Sequence, residues 1–343
     1  MNTDNLALTS LDLGKNCFHF YGQDHRGRHL FRAKVSRAQV FTFIAQLPPC
    51  TLAMEACGGA HFMGRFAVSC GHQPKLIAAQ HVRPYVKSNK NDYVDAEAIG
   101  EAASRSAMRF VALKTEAQQA LNMLNMTREA FMRDRTATVN RLHAFLLEWG
   151  ISLKPTFKSI RELPKVLEEL HAPVPVIRLF EQFHAHFNYL DERVKALTKQ
   201  LEGQVAEDDL ATRLMTMPCV GPITSSALAA EIGDGKQYKR GRDYSASIGL
   251  VPKQHTTGGK PHLLGISKRG DRNQRRLLVQ CSQTFINHLD KQTGHLADWV
   301  RGLLARHHRN VVVCALANKL ARIAWALAHT HGVYEAGPSA QNA

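Results

Sequence analysis

From about Lys114 to Glu207 the chain carries almost no strand signal and two long helical patterns, EAQQALNMLNMTREAFMRDRTATVNRLHAFLLEWG and VIRLFEQFHAHFNYLDERVKALTKQLEGQV. Leu121, Leu124, Arg128 and Phe131 recur at helical spacing in the first, and Leu179, Phe183, Phe187, Leu190 and Val194 in the second. Stripes of this kind need another helix to cover them, so the spacing predicts a helical hairpin or coiled coil, acting as a spacer or dimerisation element. The block parts the chain into sections 5–112, 113–207 and 208–332. A length of 343 residues suits two or three domains, and 44% hydrophobic residues are enough to build cores.

In the first section NLALTSLDLG, CFHFYGQ and HLFRAKVS read as the strands of a meander, RAQVFTFIAQL as a helix and TLAMEACG as a further strand. FMGRFAVSC, KLIAAQ and the run from Asp92 have the texture of α/β crossovers, so a mixed α/β layer is expected. Acids stand where strands would otherwise carry core residues: Asp12 in TSLDLGKN and Glu55 in TLAMEACGG. Carboxylates there are expensive unless satisfied. Asp92 and Asp95, three apart at a helix start, share one face and repel unless a cation, a basic partner or solvent offsets them. Acidic residues behind an Asn91 N-cap are also ordinary helix-start chemistry. Gathered at one point, the four carboxylates would suit two magnesium ions about 4 Å apart, polarising a scissile phosphate and activating the attacking oxygen.

The third section opens with LATRLMTMPCVGPITSSALAAEIGD. It reads as a helix ending near Pro218, a tight turn at Gly221 and a second helix from Pro222 through Ile232. Such a turn can offer backbone amides to a phosphate, in the manner of a helix-hairpin-helix element, and any two packed helices can also share it. Cys219 stands where the usual hairpin signature has glycine. Downstream, Gly258, Gly259 and Lys260 lack the spacing of a nucleotide-binding loop. Lys260, Lys268, Arg269, Arg272, Arg275 and Arg276, interleaved with glycines and the hydroxyls of Thr256, Thr257 and Ser267, can wrap a backbone and neutralise several phosphates. A net charge of +15 and a pI near 9.7 make a polyanion the leading class of partner, with a solubilising basic surface as the alternative.

The seven cysteines are scattered singly with no CxxC pair, which argues against a zinc knuckle or disulfide framework and suits a reducing compartment. MNTDNLALTS lacks the apolar core of a secretory signal, and VVVCALANKLARIAWALA is broken by Asn318, Lys319 and Arg322. A soluble cytoplasmic protein with no membrane partner is expected.

SLDLGKN, AMEACGGAH, NKNDYVDAEAI, MPCVGPITSSALAAEIGD, IGLVPKQHTTGGK and LLGISKRGDRNQRRLL appear in an order that resembles the Piv-type DNA invertases and their insertion-sequence transposase relatives, the recombinases guided by bridge RNA. The resemblance spans about Leu6 to Ala328. It implies an α/β RuvC-like domain of ribonuclease-H type, a helical coiled-coil middle and a mainly α-helical C-terminal transposase domain. It also implies a DEDD tetrad of Asp12, Glu55, Asp92 and Asp95 that holds Mg2+ as a two-ion site. The implied partners are double-stranded donor and target DNA, an element-encoded guide RNA, and further copies of the chain in a dimer or tetramer. The implied setting is the bacterial cytoplasm, with the protein on the nucleoid when bound to DNA.

The reaction implied is metal-dependent strand cleavage and exchange through a covalent link between DNA and a serine hydroxyl, in a segment resembling HSTGGK or HSSGGK. This chain reads HTTGGK, which puts Thr256 at that position. Three readings follow: Thr256 is the nucleophile, Ser247 or Ser267 does the work instead, or this copy is catalytically impaired and still binds nucleic acid. A RuvC-like nuclease without strand transfer is a further alternative.

Overall fold

Strand β1 (Leu6–Leu13) lies in the middle of a six-stranded sheet of order β3-β2-β1-β4-β5-β6. The computed structural model describes residues 3–87, 91–154, 156–169 and 171–337. Asn89 and Lys90 of the NKNDYVDAEAI segment fall outside them. The chain divides into two compact units, Met1–Glu116 and Ala117–Ala343.

In the first unit β1, β2 (Cys17–Asp24) and β3 (His29–Ser36) form the antiparallel meander read from the sequence. Helix α1 (Val40–Gln46) leads to β4 (Thr51–Glu55), which returns parallel to β1, and α2 (Ala60–Ser69) leads to β5 (Gln73–Ile77), parallel to β4. A short α3 (Ala79–Val82) and a 3-10 turn (Arg83–Tyr85) precede α4 (Asp92–Ala103), and the two-residue β6 (Phe110–Val111) closes the far edge antiparallel to β5.

Both faces of this sheet are covered. Leu11, Phe18, Phe20, Leu52 and Met54 pack under α1 and α2, while Leu8, Ala53 and Ile77 pack with Val82, Ala98, Ile99 and Ala102 on the α4 side. Period-two alternation makes the division: odd and even positions of one strand serve different cores.

In the second unit α5 (Glu116–Glu148) and α8 (Val174–Glu207) are the two long helices, with α6 (Phe157–Arg161) and α7 (Leu163–Glu168) between them. Arg128 Nε donates to Thr198 Oγ1 at 2.7 Å, Arg135 Nη1 to Asp191 Oδ1 at 2.5 Å, and Phe145 packs 5.6 Å from Phe183. Partner numbers fall as the first numbers rise, so the pair is antiparallel. The buried stripe of α8 runs through Phe180, Phe187, Leu190, Val194, Leu201 and Val205, and Leu179 of the expected stripe is 55% exposed. The buried stripe thus begins at Phe180, one residue later than the sequence suggested.

Asp191 sits buried in this helical pair beside Arg135, Arg161 and Lys195. Burial alone would raise its carboxyl, but hydrogen bonds from Lys195, Arg161 and Arg135 outweigh it and hold the group at about 2. Leu124 of α5 and Leu201 and Val205 of α8 join the core of the C-terminal helices, so the middle and C-terminal sections share one hydrophobic cluster.

The rest of the unit comprises α9 (Asp209–Leu214), α10 (Pro222–Ile232), α11 (Gly241–Ser247), a hairpin of β7 (Pro252–Thr257) and β8 (Lys260–Ile266), α12 (Arg272–Asn287), α13 (His295–Leu304) and α14 (Arg309–Thr330). Among the described residues α14 alone is long and apolar enough to cross a membrane. Its Val312, Val313, Leu316, Leu320, Ala321 and Ala324 are instead buried in this core.

Candidate metal centre

Leu8, Ser10 and Asp12 share the α4 side of β1, because Leu11 between them belongs to the opposite core. Ser10 Oγ, fully buried, donates to Ala96 O of α4 at 2.5 Å and to Tyr21 O at 3.3 Å. One turn on, α4 carries Gly100, where an added Cβ would stand 2.9 Å from that same Oγ. Small residues thus let α4 lie close on β1 and β2. Gln23 Nε2 donating to Ser104 Oγ and Arg32 pairing with Glu97 fix its further course. Asn91 caps the helix by accepting from Tyr93 N, so Asp92 and Asp95 occupy the first turn, where the helix dipole favours negative charge.

The consequence is a convergence of acids. Asp12, Asp92 and Asp95 each offer a carboxylate oxygen within 4.8 Å of the others. Glu55, the last residue of β4, follows the parallel Leu11–Met54 pair, which sets it beside Asp12, but its oxygens stand outside that closest group. Burial raises the Asp12 carboxyl, and the charges of Asp95, Asp92 and Glu55 raise it further against a lowering by His19. Burial, then the charge of Asp95, raises Glu55. Three hard oxygen donors gathered this closely fit a divalent cation, whose charge would offset the repulsion felt at Asp12.

His19 is a member of the site that the sequence reading missed. It is buried on β2, paired across the sheet with Asp12, with Nδ1 3.7 Å from Asp92 Oδ2 and its ring edge-on to Tyr93 at 4.7 Å. The only available signal was its place in CFHFYGQ, between two core phenylalanines and therefore on the opposite face from them.

The HTTGGK segment joins β7 to β8 through a two-residue hairpin turn at Gly258 and Gly259. Gly258 and Gly259 both have positive φ, 57° and 76°, which is what such a turn requires. Thr257 pairs with Lys260, Thr256 with Pro261, and Gln254 with Leu263. Lys260 therefore belongs to the ribbon face of Thr257, His255 and His262, opposite Thr256. The Thr256 hydroxyl is exposed and accepts from Gln254 Nε2 at 3.1 Å. The other two hydroxyls are engaged at turns: Ser247 Oγ donates to Tyr244 O at 2.8 Å, and Ser267 Oγ accepts from Arg269 N at 3.4 Å.

Of the six basic residues, Lys260, Lys268, Arg269 and Arg272 are exposed. Arg275 is half-buried and donates to the carbonyls of Ile248 and Arg269, and Arg276 pairs with Glu129 at 2.9 Å. Those two guanidinia hold the protein's own backbone and side chains, a role that an arginine count does not separate from phosphate binding.

The helix-turn-helix at Pro218 is also formed. Gly221 is the N-cap of α10 and Pro222 its first residue. Cys219, in the glycine position of the usual signature, has φ 62°. A side chain in the left-handed region costs about 1–2 kcal/mol. Cys219→Gly is expected to leave stability unchanged or raise it by about 1 kcal/mol, after allowing for the greater freedom of glycine in the unfolded chain. Cys219→Val should lower it by about 1–2 kcal/mol. Urea unfolding midpoints of the three proteins check the order.

Comparison with known proteins converges on one class. Residues 10–150 match a transposase family, DEDD_Tnp_IS110, and residues 211–296 match the family described as Transposase IS116/IS110/IS902. The chain is 52% identical over 321 residues to the transposase for insertion sequence element IS1328 of Yersinia enterocolitica, covering 94% of this chain and 96% of that protein. It is 40% identical to a probable family 20 transposase of Pseudomonas aeruginosa, covering 97% and 100% of the two chains. It is 36% identical to the transposase for insertion sequence element IS1111A of Coxiella burnetii, covering 97% and 92%.

Proposed function

The chain belongs to the IS116/IS110/IS902 family of insertion-sequence transposases, and from that premise we propose that Asp12, Glu55, Asp92 and Asp95 form its metal-dependent DNA-cleaving centre on a RuvC-like domain. The observation that carries this reading is the approach of Asp12, Asp92 and Asp95 to within 4.8 Å of one another. The sheet order, with β1 between an antiparallel β2 and a parallel β4, supports the ribonuclease-H-type assignment. When bound, Mg2+, as one ion or a pair, would polarise the scissile phosphate and activate the attacking oxygen.

Thr256 is the nucleophile in this reading. Its hydroxyl oxygen gives up its proton and forms the new bond to phosphorus as the strand's own P–O bond breaks, and the departing strand oxygen takes up a proton, so the net step exchanges one ester oxygen for another. The exposure of Thr256 on a defined turn favours it over Ser247 and Ser267, whose hydroxyls serve local turns. Lys260, Lys268, Arg269 and Arg272 hold phosphates of donor and target DNA, and amides at the Gly221 turn add to that grip. Selection of the DNA sites by pairing with a guide RNA, and a dimer or tetramer as the working form, complete the proposal. The serine-to-threonine departure favours one second reading, a copy that binds nucleic acid without strand transfer.

The test is a nicking assay with purified protein, element-end DNA and the element's transcript. Cleavage should vanish with a chelator and return with Mg2+ or Mn2+. Binding without cleavage in both metals supports the second reading.

A further inference from the structure

A cleft of about 410 Å³ opens beside the acid cluster. Glu55 and Asp95 form part of its wall, Val82, Val86 and Ile99 give it an apolar lining, and Gln80 and Arg83 are its polar members on the α3 side. Val82 and Ile99 are core residues, 4% and 1% exposed, so they form the base of the cleft, and Ala79 and Val86 supply its accessible apolar surface. Arg83 opens the 3-10 turn, is followed by Pro84, and is flanked by Val82 and Tyr85, which pack with Ala98 and Ile99 of α4. Its backbone is therefore anchored to the helix that carries Asp95. The guanidinium itself is exposed and has no ion pair or hydrogen bond among the described residues. Arg28, Arg32 and Arg105 of the same unit each pair with an acid.

We propose that this cleft seats the nucleotide adjoining the scissile phosphate of the DNA strand, with Arg83 holding that nucleotide's phosphate. The acids by themselves repel a polyanion. A free guanidinium across an apolar floor supplies the opposite charge in the planar form that grips a phosphate through two hydrogen bonds. The apolar surface of Ala79 and Val86 suits the sugar and base faces, and Gln80 offers a donor and an acceptor to a base edge. Fixing the strand at a second point sets where the scissile bond lies relative to Asp12, Asp92 and Asp95. Arg83 is thus a positioning residue. The inference rests on the cleavage-centre reading.

The experiment uses the full chain and a fluorescein-labelled single-stranded DNA oligonucleotide spanning a cleavage site. Binding is titrated with and without Ca2+, which occupies hard-oxygen sites. Comparing the two isolates the part of the affinity that depends on the acid cluster from that contributed by the basic C-terminal surface. Arg83→Ala should cut the calcium-dependent gain in affinity about tenfold, Arg83→Lys should restore part of it, and calorimetric Mn2+ affinity without DNA should match the parent.

An undiminished gain in Arg83→Ala, with the gain lost in Asp92→Asn, overturns the cleft assignment and leaves the cleavage centre standing. Loss of Mn2+ affinity in Arg83→Ala assigns Arg83 to the fold instead and also overturns it. A gain seen with an RNA oligonucleotide and absent with DNA overturns the choice of ligand. Equal cleavage by Asp92→Asn and parent removes the cleavage-centre reading, and this inference with it.

Discussion

Asp92→Asn and, separately, Asp12→Asn are expected to reduce strand cleavage by about 10³-fold or more in Mg2+ while leaving the fold intact. The two acids sit differently: the Asp92 side chain is 61% exposed, whereas Asp12 is half-buried and lies next to buried His19 across the sheet. In both cases asparagine keeps the shape and removes one negative charge. Asp12 is already raised by burial and by its acidic neighbours, so losing one like charge relieves repulsion in the protein without metal. Thermal unfolding in chelator should therefore show each variant as stable as the parent or slightly more so, with cleavage and metal affinity lost together. A stability rise paired with an activity loss is the pattern expected of charges gathered for function. Cleavage at the parental rate by purified Asp92→Asn would end the metal-centre reading.

Thr256→Val should eliminate any covalent protein–DNA adduct, whereas Thr256→Ser should match or exceed the parent. Valine keeps the branched shape that a strand favours and removes only the hydroxyl, so the β7–β8 ribbon is retained. Serine keeps the hydroxyl and removes the methyl group that hinders it. Trapping with a suicide DNA substrate, followed by peptide mapping of the adduct, reads the site directly. An adduct at Ser247 or Ser267 would reassign the nucleophile. No adduct in parent or Thr256→Ser, with DNA and RNA both shown to be bound, would identify an impaired copy. Lys260 is not placed to assist this step, because its register partner is Thr257 and its place is on the other face of the ribbon.

Much of this protein was legible before folding because its signals are local. Period-two runs marked the meander β1 to β3, period-3.6 stripes marked α5 and α8, and the Asn91 cap marked the start of α4. Carboxylates at Asp12 and Glu55, inside strands, marked candidate positions because burying charge without a partner is costly. The turn at Pro218 to Pro222 was equally plain, and the left-handed backbone at Cys219 follows from the glycine position it occupies.

What the chain could not show in one dimension was which neighbours each side chain meets. His19 enters the acid cluster only because β2 pairs with β1 in a register that sets it opposite Asp12. Arg275 and Arg276 look like the other basic residues until α12 packs and turns them onto Ile248 O and Glu129. Arg83 gains meaning from the closeness of the turn after α3 to α4 and to β4, the last of which lies well upstream in the chain. By itself the sequence determined the periodicities, caps, turns and misplaced charges, since these follow from the backbone geometry of a few consecutive residues. Strand order, register and helix packing, which only the tertiary structure decided, depend on long-range burial and select which of those charges meet.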